Sequence, residues 1–264
     1  MVSRSNFFKV NFSVLVLSFV VLGNVYTANP WQETIDDGNR LIQDKKFDEA
    51  IVVLTQFINA NKMSANKEML STFLEVRGDA YLKLAWSGKG NKNFELAIDN
   101  LNKAEPQQIQ NGWHFQRKGW AYSGVKDYDQ ALLAYGKASE LLPPEHKGFA
   151  YFGRGQSFSA KGSIDYAIAE YNKALQLDPK NADAYYERGL LFAQKGELDK
   201  AIADYTETIV SNPALAKAYN SRAIASYQKK DYTSALNDVR EAKKHGLPVN
   251  AQFLAALEKA SGKK

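Results

Sequence analysis

The chain has 264 residues and no cysteine, which excludes disulfides, thiolate metal sites, a cysteine nucleophile and a lipid anchor through an N-terminal cysteine. Hydrophobic residues make up 45% of it and the formal net charge is only +5, so the composition is that of a packed protein and not of a disordered one. The positive charge is spread over mixed-sign segments with no basic stripe, which argues against nucleic acid as a partner.

Residues 1–28 read as a leader. Arg4 and Lys9 give a positive start, Phe12 to Leu22 is an apolar run, Gly23 and Asn24 break it, and small residues follow at Thr27 and Ala28. That order is the one expected of a secretory signal and predicts export to a periplasm or beyond. The apolar run is shorter than the roughly 20 residues that span a bilayer. Its cleavage signature is imperfect: a cut after Ala28 leaves Tyr26, and a cut after Thr27 leaves Val25, where a small residue is preferred. The alternative is an uncleaved leader, which would be the chain's one contact with a membrane.

Beyond the leader the sequence repeats itself. Ala167, Ala201 and Ala235 are 34 residues apart, Ala131 lies 36 before Ala167, Ala97 lies 34 before Ala131, and Ala50 lies 47 before Ala97. Each has a small partner upstream. Gly38–Ala50, Gly119–Ala131, Gly155–Ala167, Gly189–Ala201 and Ala223–Ala235 are all separated by 12, whereas Gly78–Ala97 is separated by 19. The spacing predicts pairs of amphipathic helices of about 14 residues that approach closely at the small residues, flanked by bulky ones such as Tyr185, Phe192, Leu198 and Tyr205. Pro143, Pro179 and Pro213 should each end a second helix, because proline cannot continue it. The seven extra residues of the second unit are expected in a loop from Trp86 to Asn93, either as a tolerated insertion or as an accessory contact.

A small residue, an aromatic three on, then alanine, an aromatic four on and proline is a pattern that resembles the tetratricopeptide repeat (TPR). The match is strongest over 112–213, good to 245 and looser over 31–111, where Lys62 stands at the usual proline. The resemblance implies an all-α, right-handed solenoid in place of a generic helical bundle. Its array would span 31–249, in units at 31–64, 71–111, 112–145, 148–181, 182–215 and 216–249, with a capping helix at 250–262 whose Phe253, Leu254 and Leu257 face the last unit.

It also implies a concave groove lined by the first helix of each hairpin. The positions selected are Trp113, Gln116, Arg117 and Trp120 in the third unit, and Phe149, Phe152 and Gln156 in the fourth. In the fifth they are Asp183, Tyr186, Glu187 and Leu190, and in the sixth Lys217, Asn220, Ser221, Ile224 and Tyr227. Trp113, Trp120, Phe149, Phe152 and Tyr186 are expected to form one aromatic patch for a protein or peptide partner, unless curvature buries them between units. The lysine, arginine and asparagine clamp by which some TPR proteins hold acidic C-terminal tails is not expected, since its positions hold residues such as Phe152, Gly153, Tyr186 and Glu187.

Arg77, Arg154, Arg188 and Arg222 precede the small residue in four units, and Asn100, Glu170, Asp204 and Asp238 stand at matching positions of the second helices. Recurrence of the partner with the arginine predicts structural pairs, the alternative being an anion ladder. The three histidines, His114, His146 and His245, have no ligand spacing. No nucleophile elbow or phosphate-cradling loop is present, so no cofactor and no catalysis are expected. The function these residues predict is an exported protein-interaction scaffold, as in envelope assembly or secretion. The alternatives are a self-assembling TPR protein, in which a second copy is the partner, and a non-catalytic regulatory subunit.

Overall fold

A computed structural model describes residues 30–61, 67–104, 111–248 and 250–262. The leader, Lys62 and part of the first two units' boundaries lie outside the described residues. Among those described there are only helices: α1 (Pro30–Gln43), α2 (Phe47–Asn61), α3 (Lys67–Trp86), α4 (Lys92–Lys103), α5 (Gly112–Gly124), α6 (Tyr128–Leu141), α7 (Lys147–Ala160), α8 (Ile164–Leu177), α9 (Ala182–Gln194), α10 (Leu198–Ser211), α11 (Ala216–Gln228), α12 (Tyr232–Lys244) and α13 (Ala251–Ser261), with one 3-10 turn at Pro144–His146. They form six antiparallel hairpins and a final helix. Each second helix packs on its own first helix and on the first helix of the next hairpin. Successive first helices also touch one another, α1 on α3 through α9 on α11, so the first helices line the inner face of the array.

The helix ends follow from local chemistry. Pro143, Pro179 and Pro213 each stand two residues beyond a second helix. Inside a hairpin the turn is three residues long, and its middle residue takes a left-handed conformation: Lys45, Lys126, Gly162, Gly196 and Lys230, with φ between 60° and 77°. The closing bonds recur, for example Ser163 N–H to Phe158 C=O and Gly162 N–H to Ser159 C=O, which satisfies the orphan carbonyls of the first helix. Lysine in this region costs about 1 kcal/mol that glycine does not. Gly162→Ala should therefore lower stability by about 1 kcal/mol in denaturant titration, while Lys126→Gly should be neutral or mildly stabilising.

The long second unit departs from the expected loop. The other first helices end five residues beyond their small residue, whereas α3 runs eight beyond Gly78. The turn, 87–91, is five residues in place of three, and α4 starts two residues earlier relative to its alanine. Most of the insertion is thus absorbed as helix, because a helical residue makes its backbone bond within the chain and a loop residue does not. Trp86 ends α3 instead of opening a loop. Lys89 in the turn reaches Asp48 of α2 at 2.5 Å.

Packing at the crossing is size-matched. The small residue of the first helix does not meet the alanine of the second so much as the side chain four residues after it. A Cβ on Gly119 would lie 2.4 Å from the Tyr135 ring, one on Gly155 2.6 Å from Tyr171 and one on Gly189 2.8 Å from Tyr205. Where the partner is leucine the fit is looser, 3.0 Å for Gly38 against Leu54 and 3.1 Å for Gly78 against Leu101. In the sixth hairpin Ala223 faces the smaller Val239 within one cluster. Leu257 of α13 is fully buried there with Phe253 and Leu254 beside it, which closes the C-terminal apolar end.

Candidate functional site: the inner face

The arginines before the small residue are structural. Arg188 donates from Nε and Nη2 to both Asp204 oxygens at 2.8 and 2.6 Å, and from Nη1 to Asn172 Oδ1 at 2.6 Å. Arg222 repeats this with Asp238 at 2.9 and 2.7 Å and Thr206 at 3.0 Å. Arg77 donates to Asn100 at 2.7 Å and Thr55 at 3.0 Å. Each guanidinium therefore ties three helices: its own, its partner's and the second helix of the preceding hairpin. Bidentate carboxylate contact raises the Arg222 pKa, while burial against a neutral amide lowers that of Arg77.

The latch is incomplete at Arg154. Its Nη1 lies 3.4 Å from Glu170 Oε2, but neither Arg154 Nε nor Glu170 Oε2 has a hydrogen-bond partner among the described residues. The position that holds Thr55, Asn172 or Thr206 elsewhere is here Gly136, and a Cβ built on it meets nothing within 4 Å. Gly136→Thr should stabilise the array by about 1 kcal/mol, through helix propensity and an added acceptor for Arg154. The shift in the denaturation midpoint checks this, and no gain in an Arg154→Leu background would show that the acceptor contributes.

The aromatic residues expected to form one patch are divided by the packing. Tyr186 is buried, 5.9 Å from Tyr205 ring to ring, with its hydroxyl 3.3 Å from Ser221 Oγ. Gln116 is also buried and reaches the Phe149 carbonyl. These two side chains seal the seams between hairpins and do not line a surface, the effect of close approach between successive first helices. Trp120 is half-buried on the Leu82, Phe94 and Ala121 cluster, edge-on to Trp86 at 5.4 Å. Phe152 leans on Tyr171 at 5.7 Å.

What remains open on the first helices of hairpins four to six is Phe149 at 49% exposure, Leu190 at 37% and Ile224 at 42%, with Gln156 exposed and Asn220 half-buried on the same helices. Phe149 stands in an aromatic group with Trp113, at 5.9 Å, and His146, at 6.2 Å. His146 has no place in the repeat pattern, because it comes from the 3-10 turn between hairpins. Leu190 and Ile224 hold equivalent positions, one residue after Gly189 and Ala223.

Charged groups flank this stretch. Toward the N-terminus Glu75 receives the buried His114 Nδ1 at 3.1 Å, and Arg117 lies 3.9 Å from Glu75 and 3.5 Å from Asp79. Arg117 is thus committed to its own array. Toward the C-terminus stand Asp183 and Glu187 on α9 and Lys217 on α11, whose Nζ sits 4.2 Å over the Tyr186 ring. Among the described residues no group of His, Asp and Glu could hold a metal ion, and no helix is long and apolar enough to cross a membrane.

Comparison with known proteins agrees with this architecture. The family model described as TPR repeat matches residues 155–196, and that described as Tetratricopeptide repeat matches 182–213. The small glutamine-rich tetratricopeptide repeat-containing protein 2 of Saccharomyces cerevisiae is 25% identical over 150 residues, which are 57% of this chain and 40% of that protein. This chain thus spans less than half the length of that relative. Among solved structures, MamA is 27% identical with a TM-score of 0.56, over 64% of this chain and 93% of MamA. The C-terminal part of a TPR repeat-containing protein from Cytophaga hutchinsonii is 19% identical with a TM-score of 0.64, over 86% of this chain and 84% of that one. The chain is an all-α solenoid that carries tetratricopeptide repeats, recognised by sequence between residues 155 and 213.

Proposed function

We propose that the chain is an exported scaffold that holds a peptide or protein segment along its inner face, between the Trp113–Phe149 group and Ile224. Tetratricopeptide repeats bind protein or peptide partners, and one observation supports this stretch as the contact. Phe149, Leu190 and Ile224 are exposed large side chains on the face where first helices meet, and none belongs to a buried core cluster. Exposed apolar side chains that the fold does not require are the usual anchors of a partner. Export rests on the leader, whose removal a mass measurement of the mature N-terminus would establish.

A photo-crosslinking amino acid placed at 149, 190 and 224, and in control at the outward positions 133, 166 and 210, tests the groove. Efficient capture of one partner from the inner set only is expected. Capture from the outer set alone would overturn this reading. Phe149→Asp with Leu190→Asp should abolish capture while leaving the circular dichroism melt within a few degrees, because both side chains are exposed.

A further inference from the structure

Glu187 is a half-buried carboxylate on the inner face with no hydrogen bond or ion pair of its own among the described residues. Two acids nearer the N-terminus of this face differ: Glu75 and Asp79 are answered by His114 and Arg117. Lys217 is the cation nearest Glu187 in effect, but its ammonium lies over the Tyr186 ring. The Tyr171 hydroxyl is completely buried and without a hydrogen-bond partner among the described residues. Glu187 is near enough that its charge pushes the Tyr171 phenol up, beyond the effect of burial. In the preceding hairpin the equivalent Tyr135 hydroxyl is met by Ser123 Oγ at 3.3 Å, whereas the Tyr171 hydroxyl has no such partner. A carboxylate and a buried phenol oxygen are thus both unanswered, with the exposed Leu190 one turn along α9 from Glu187 and the half-buried Phe152 against the Tyr171 ring.

We propose that this part of the groove is a pocket for a lysine or arginine side chain of the docked segment, its cation received by Glu187 and its methylenes lying on Phe152 and Leu190. The pocket rests on the groove reading above and names the partner's chemistry: an apolar segment carrying a basic residue. Long basic side chains suit it because their stems are apolar and their heads charged. Charge complementarity favours a cation, since Asp183 adds a second negative charge beside Glu187 and Lys217 offsets only one. Burial is the largest cause holding Glu187 above the ordinary carboxylate value, Lys217 opposes it and Asp183 reinforces it. A raised acid disfavours the folded state once ionised, so its cost is absent below the ordinary 4.5 and grows as pH rises. An arriving cation would remove that cost.

The test is a displayed random-peptide library selected on the full chain, on Glu187→Gln, and on the groove-blocked Phe149→Asp with Leu190→Asp. Groove-dependent sequences with lysine or arginine at a fixed offset from apolar residues are expected. Glu187→Gln should weaken the synthesised winners about tenfold and erase the preference for lysine over norleucine. The same preference surviving in Glu187→Gln overturns the pocket. Apolar winners without a basic position overturn the pocket and leave the groove standing. Winners that bind the blocked variant equally overturn both. As a second readout, Glu187→Gln without peptide should raise the melting temperature at pH 7 and leave it unchanged well below pH 4.5.

Discussion

Gly119→Ala should destabilise the array by about 3 kcal/mol although it adds a single methyl group. Alanine ordinarily improves a helix by about 1 kcal/mol over glycine, so the sign alone is diagnostic. The cause is the Tyr135 ring. A Cβ on Gly119 would stand 2.4 Å from it, and one on Gly153 of the next hairpin would stand 2.5 Å away. The ring is therefore gripped by two helices and cannot swing clear of either. Tyr135→Leu, which copies the first two hairpins, leaves a cavity on its own and should cost about 3 kcal/mol. In the double variant the two losses should not add. Denaturant titration of the cycle should give a coupling of at least about 1.5 kcal/mol, and simple additivity would show that the ring has room to move.

The second large effect lies in the arginine latches. Arg188→Met removes the partner of Asp204, a buried carboxylate, and should cost about 3–5 kcal/mol. Arg188→Met combined with Asp204→Leu should bring stability back to within about 1 kcal/mol of the starting protein, since a buried ion pair is offset by its desolvation. Arg154→Met should cost distinctly less than Arg188→Met, because Arg154 lacks both the bidentate carboxylate contact and the polar group from the preceding hairpin. Equal losses at the two positions would mean that the stems of the arginines, and not their charged heads, support the seams.

These features were legible in the sequence to different depths. Period and register came from glycine, alanine and proline, residues whose backbone behaviour is nearly independent of context. The arginine pairs were legible because both partners recur together. Their third contact, Thr55, Asn172 or Thr206, was not, because it belongs to the preceding hairpin and to chemically mixed residue types. The inner face was the least legible. Tyr186 and Phe149 are both aromatic and both follow the groove pattern, yet one seals a seam and the other stands open. That difference depends on how closely successive first helices approach, a distance that no single repeat encodes. His114 was hidden for the same reason, since Glu75 lies 39 residues away. The insertion was misplaced as a loop because its glycines and lysines read as a turn, while five of its seven positions extend α3 and α4.

The size-matched crossings bear on how the chain assembles. Six similar hairpins made in succession offer many wrong partners, and misassembly is the characteristic failure of repeat proteins. Here each first helix accepts only some second helices. The methyl group of Ala223 would collide with a tyrosine in the place of Val239, so α11 cannot clasp α10 as its own partner. Hairpins three, four and five share the glycine–tyrosine fit, but Lys118 with Ala134, Arg154 with Glu170 and Arg188 with Asp204 separate them by charge and reach. A newly made α9 that met α6 would bury Arg188 against Ala134 with no acceptor. The irregularities of the repeat are thus an address system, through which near-identical pieces find their places in order along the chain.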